Sequence, residues 1–299
     1  MTSSTIVLSP GIELVKAQKA RIGPASSNRR TFSVQARAVL QQSGIFTAKE
    51  IKTMLWRLGI VHRALEKYPH TKKQAVSLLE MAPTLLGVKP MIDLESNGPS
   101  DTRQIKKLFK TLRGIGFPPI AFKSEAFNPF TITTESGETF APFADAEQIM
   151  LADIRSIYQT ARTIHDQGIR QQLRTAGFWQ AVAQKDHQRV LEICDRELDH
   201  VVGLFLGYPE PAVLEFIEQL GKDEEKPEAN CTAHWSSLSI YFGNSDKGST
   251  QQTIDRFDAS IELTYEYLTR VQGVTFSIPF AEWMSMDRFT DSNRVLMFS

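Results

Sequence analysis

The chain has only two cysteines in 299 residues, Cys194 and Cys231. So few thiols exclude a disulfide framework, and a reducing, intracellular and cytoplasmic setting is the economical expectation. Long apolar runs are missing too. A helix that crosses a membrane needs about 18 apolar residues, whereas the best stretch here, "VVGLFLGY" from Val201 to Tyr208, is short and contains two glycines. The expectation is a soluble protein with no membrane span. The motifs GxGxxG, HExxH, GxSxG and paired CxxC are also absent from the sequence, so most common mechanistic classes lack their signature and no cofactor is expected.

What the first part of the chain lacks is acid. Residues 1–123 carry 20 Lys and Arg against 7 Asp and Glu, and residues 124–299 carry 14 against 27, so that a chain with no net charge divides into segments of +13 and −13. An imbalance of this size points to an anionic partner, or to basic and acidic lobes that neutralise each other within or between subunits. The segment "DTRQIKKLFKTLRGIG" concentrates the effect. Ile105, Leu108, Phe109 and Leu112 follow helical spacing, and Arg103, Lys106, Lys107, Lys110 and Arg113 fall on the opposite side, which predicts an amphipathic helix with a cationic outer face.

The apolar periodicity predicts a mainly α fold with a small β component, an α+β class with two helical lobes, a β-hairpin between them and a flexible basic N-terminal arm. The arm is 1–44, where Ser9-Pro10-Gly11, Gly23-Pro24 and Ser26-Ser27-Asn28 interrupt any period. Its Ser- and Arg-rich character is that of an interaction arm or of an organelle transit peptide. The basic helical lobe covers 45–123: a helix that opens with Thr47 and Glu50 as a capping box and carries Ile51, Leu55, Leu58 and Val61 on one side, a helix over Gln74 to Leu86 that Pro83 shortens or kinks, and the cationic helix. Residues 124–143 form the hairpin connection, turned by Glu135-Ser136-Gly137-Glu138 between alternating strands. The acidic, mainly helical lobe, 144–299, opens with one long helix from Ala144 to Gln167, continues with helices near 169–184, 187–206 and 211–220, and includes an amphipathic helix over Thr250 to Val271.

Three constellations offer chemistry, each with a plainer explanation. "GNSDKGST" sits where a phosphate loop would, between a candidate strand and a candidate helix, but Ser249 stands where the lysine belongs. The plainer reading is a turn with Ser249 or Thr250 as helix N-cap. Cys194, His200, Cys231 and His234 are of zinc-ligand type, yet positions 194 and 200 are turned about 120° apart on a helix, so no metal site is expected and Cys194 reads as a core residue. Cys231 activated by His234 or His200, with Asp199 orienting the imidazole, gives the candidate catalytic set of a Cys/His-dependent hydrolase or transferase.

The leading expectation is a non-enzymatic binding or assembly protein that contacts a polyanion, most plausibly RNA or another nucleic acid. Arg29, Arg30 and Arg37 from the arm and Arg103, Lys106, Lys107, Lys110 and Arg113 from the helix would meet phosphates, with Trp56, Phe46 or Tyr68 stacking on bases where exposed. Trp56 lies in the middle of an apolar periodic helix and is expected in the core. The alternatives are the Cys/His enzyme and a homo-oligomer in which the basic arm docks on the acidic lobe of a neighbour.

Overall fold

Thr47 closes its capping box as the sequence implies. Its N–H donates to Glu50 Oε2 at 2.8 Å and its hydroxyl accepts from the Glu50 N–H at 3.3 Å, and the helix runs from Ala48 to Lys67. In this computed structural model of the chain, the residues described are 29–67, 75–94, 107, 110, 120–123, 132–133, 139–140, 149–198, 201–220 and 247–276. In chain order their helices are α1 (Arg29–Ser43), α2 (Ala48–Lys67), α3 (Ala75–Glu80), α4 (Ala82–Leu85), α5 (Ile154–Thr163), α6 (Gln167–Thr175), α7 (Phe178–Gln184), α8 (His187–Glu192), α9 (Val202–Phe205), α10 (Glu210–Leu220) and α11 (Lys247–Arg270). The strands are β1 (Met91–Leu94), β2 (Ile120–Lys123), β3 (Ile132–Thr133), β4 (Thr139–Phe140) and β5 (Ile149–Ala152).

The class is α+β, predominantly helical. Strands β3 and β4 pair antiparallel, Ile132 with Phe140 and Thr133 with Thr139. The larger sheet has the order β1-β5-β2, antiparallel throughout, and Leu151 of the central strand sits between Ile92 and Ala121. Residues 149–152 therefore correct the expectation of one helix from Ala144 to Gln167. In the run "IMLA" Met150, Leu151 and Ala152 are all buried, and a short continuous apolar run carries no period that separates a buried strand from a helix. The helix begins only after Asp153, whose carboxylate accepts from the Arg155 N–H.

Alternation along β5 divides the core. Leu151 and Ile92 face a cluster built from α2, α3, α4 and α11, with Leu65, Leu79, Leu85 and Leu268 among its members. Met150, Ala152 and Met91 face the opposite cluster, built on α5 to α10 around Phe178, Leu173, Ile157 and Phe205. A third cluster joins α1 to α2 and α11 through Phe32, Leu40, Phe46, Met54 and Tyr267. Elements on either side of the 123 and 144 boundaries thus share cores: β5 completes a sheet with β1 and β2, and α11 packs on α3 and α4.

Other boundaries shift for local reasons. Residues 29–43, placed in the arm by the sequence reading, form α1, because Phe32, Ala36 and Leu40 recur every fourth residue and bury one edge; the interrupting Pro, Gly and Ser residues all precede Arg29. Residues 1–28 lie outside the described residues. The expected helix over 74–86 is two, α3 and α4, with Pro83 in the first turn of the second, where a missing N–H costs nothing. The expected helix over 187–206 is broken into α8, a π-helical turn over Ile193–Glu197 and α9. Helix α11 starts at Lys247, ahead of the expected N-caps at Ser249 and Thr250.

Phe178 is fully buried against the rings of Tyr158, Trp179 and Phe205. Phe178→Ala is expected to lower unfolding stability by about 3–5 kcal/mol, read from urea denaturation, whereas Trp56→Ala on the surface of α2 should stay within about 0.5 kcal/mol of the parent. A comparable loss for both would contradict the burial pattern.

Candidate polyanion interface

Helix α2 is anchored from beneath by a charge that never reaches water. Arg57 and Asp153, each 1% exposed, pair at 2.6 Å. The Arg57 Nη1 also donates to the carbonyls of Thr84 and Leu85, both at 3.4 Å, and Asp153 accepts from the Ser156 hydroxyl at 2.7 Å. Gly87, at φ +78°, leaves the space for this guanidinium: a Cβ there would lie 2.9 Å from Arg57 Cζ. A buried ion is tolerable only when paired and hydrogen-bonded, so this arrangement fixes the rotation of α2 about its own axis.

With Ile51, Met54, Leu58 and Leu65 turned inward, the opposite side of α2 carries its exposed residues. Lys49, Lys52, Trp56, Arg63 and Lys67 are all exposed, and their spacing puts them in an arc of about 60° at roughly 100° per residue. From Lys49 to Lys67 the stripe is about 27 Å long at about 1.5 Å per residue. Trp56, at 53% exposure, corrects the expectation that it belongs to the core: the buried residues of α2 follow Ile51, Met54, Leu58, Val61 and Leu65, which leaves position 56 outside. Phe46, the second stacking candidate, is buried under the Arg256 guanidinium, 5.1 Å from its ring centroid. Tyr68 lies outside the described residues.

Helix α1 lies alongside. Arg30, Val34, Arg37 and Gln41 are exposed, again within an arc of about 60°. Arg29 is exposed as well. Its guanidinium rests on Gly59 of α2, where a Cβ would displace the Nη2. Lys107 and Lys110 are helical and exposed. Arg103, Lys106 and Arg113 lie outside the described residues, as do Cys231, His234, His200 and Asp199. Cys194 is buried among apolar side chains. Among the described residues no cluster of His, Cys, Asp and Glu is arranged to hold a metal ion, and no helix is long and apolar enough to cross a membrane.

The stripe is readable in the spacing 49, 52, 56, 63, 67, opposite the apolar positions Ile51, Leu58 and Val61, although the helix at 101–113 is denser in cations. An apolar groove between α1 and α11, lined by Phe32, Ala36, Leu40 and Leu263, is the other concavity nearby. Of its charged rim, Glu266 is already paired with Arg270. Neither family models, nor curated proteins, nor solved structures yield a match to the chain.

Asp258 and His62 are among the titratable groups at this end of the molecule that are displaced from their ordinary values. Asp258, buried on α11, is pushed well above the carboxylate range, first by burial and then by Asp255 and Glu262. His62 of α2 accepts at Nδ1 from the Gln272 amide at 2.7 Å and donates from Nε2 to Glu66 at 2.9 Å. Burial foremost, with the Arg29 and Arg63 cations, outweighs Glu66 and holds His62 below its usual value. Because the folded state then binds this proton less readily than the unfolded state, the contribution is complete at high pH and is lost as pH falls through about 6.5. The unfolding midpoint should therefore drop between about pH 7 and 5 by more in the parent than in His62→Gln. Parallel pH profiles for the two proteins would contradict the assignment.

Proposed function

We propose that the protein binds a polyanion, a nucleic acid contacted through its phosphates, by the outer faces of α2 and α1. The observation that carries this reading is the stripe on α2, in which Lys49, Lys52, Arg63 and Lys67 line one exposed face of one rigid helix. Cations so aligned match a repeating line of phosphates better than they match any single anion, and release of condensed counterions supplies the affinity. Arg30 and Arg37 extend the positive surface onto α1, and Lys107 and Lys110 are exposed cations of the segment richest in charge. The role is binding without chemistry, since phosphate contacts position a ligand and transform nothing.

The combined variant Lys49→Glu, Lys52→Glu, Arg63→Glu tests this without touching Ile51, Met54 or Leu58. Its urea midpoint should match the parent. Its affinity for an oligonucleotide should fall, and the slope of log affinity against log salt should become shallower by about 2, at about 0.7 per phosphate contact on a single strand. An unchanged slope, or a parent protein that binds neither RNA nor DNA at low ionic strength, contradicts the proposal. If the variant instead loses assembly or stability at low salt, the cations serve the protein's own acids.

A further inference from the structure

From the position of Trp56 within this stripe we infer that the ligand is a single strand, one of whose bases stacks on the indole. The inference rests on the reading of α2 as a phosphate-binding face and adds to it the form of the nucleic acid. A tryptophan in the middle of a helix normally turns to the core, and the two large apolar side chains exposed among the described residues are Trp56 and Val34, at 53% and 65%. Trp56 is the aromatic one, and along the helix it stands between cations: Lys52 lies one turn before it, Arg63 two turns after, and Lys49 and Lys67 at the ends, all exposed.

That combination separates ligand classes. A duplex presents phosphates but keeps the faces of its bases stacked inside, so an indole at the surface gains nothing from it. An unpaired strand offers phosphates and π-faces together, and nonspecific single-strand binders combine a positive track with aromatic platforms. A protein partner would favour an apolar surround for the tryptophan, with charge excluded from the centre of the contact, whereas here cations flank it on both sides along the helix. A stripe of about 27 Å suits the short end of known site sizes, which start at about four nucleotides. Stacking is indifferent to which base is stacked, so little sequence preference is expected.

The test is fluorescence anisotropy of the full chain with a labelled uridine 12-mer and with an RNA duplex of the same length, using the parent, Trp56→Ala and Trp56→Phe. The parent should bind the single strand more tightly than the duplex. Trp56→Ala should weaken single-strand binding by roughly 5- to 150-fold, Trp56→Phe should retain most of it, and duplex binding should be the same in all three. Equal or tighter binding of the duplex by the parent, or a loss under about twofold in Trp56→Ala, overturns the inference and leaves the phosphate-binding reading standing. Binding of neither probe by the parent removes both. A change in the protein's own oligomeric state on Trp56→Ala, read by sedimentation, assigns the indole to a protein contact and overturns the inference as well.

Discussion

The pairing of Arg57 with Asp153 is the constraint on which the arrangement turns. The arginine comes from the middle of α2, and the aspartate is both the last residue before α5 and its N-cap. Backbone joins the same place, since the Asp153 N–H donates to the Pro90 carbonyl at 2.8 Å, immediately ahead of β1. One buried pair therefore couples the helices on one face of the sheet to those on the other, at the end of the central strand. Removing one partner of such a pair costs about 3–5 kcal/mol because the other is left charged and dry, while a well-packed apolar replacement of both can be neutral. Its value is positional: a helix with Arg57 pinned inward has Trp56, roughly 100° around the axis, pointing to water.

The acid excess of the second part of the chain has several structural uses. Asp153, Asp166 and Asp186 cap α5, α6 and α8 by accepting backbone N–H groups. Glu210 accepts from the N–H groups of His165 and Asp166, tying α10 to the turn between α5 and α6. Glu197 pairs with Arg189 within its own layer. Between the two segments of the chain the ion pairs run in both directions, with Arg57 reaching Asp153 and Arg256 reaching Glu50. Partial burial raises the Glu50 carboxyl, but hydrogen bonds from Arg256 and from the Thr47 N–H and hydroxyl outweigh it and hold the group below the usual range. Acids cap and tie helices together, while many cations lie at the surface of α1 and α2.

Residues that signal through local chemistry were legible in the sequence. The Thr47 and Glu50 box, the break at Pro83 and the buried thiol of Cys194 each follow from a few neighbouring positions. What escaped depends on distant chain. Nothing local marks 149–152 as a strand, because its alternation is hidden when both faces are covered. Helix α1 was masked by the irregular residues before it. Trp56 was misplaced for another reason: the apolar positions Ile51, Leu58 and Val61 already turn position 56 outward, and only its place in the middle of an apolar helix argued for the core, while the Arg57–Asp153 pair adds a distant anchor to the same rotation.

The central claim is that this rotation presents a tryptophan and its flanking cations to a nucleic acid strand. Photocrosslinking of a 4-thiouridine oligonucleotide to the full chain, followed by tryptic digestion and mass spectrometry, examines it directly. Cleavage after Lys52 and Arg57 releases the short peptide Thr53–Arg57. The account predicts that the dominant adduct lies on this peptide, at Trp56. Adducts confined to other peptides, with Thr53–Arg57 recovered unmodified, would contradict it.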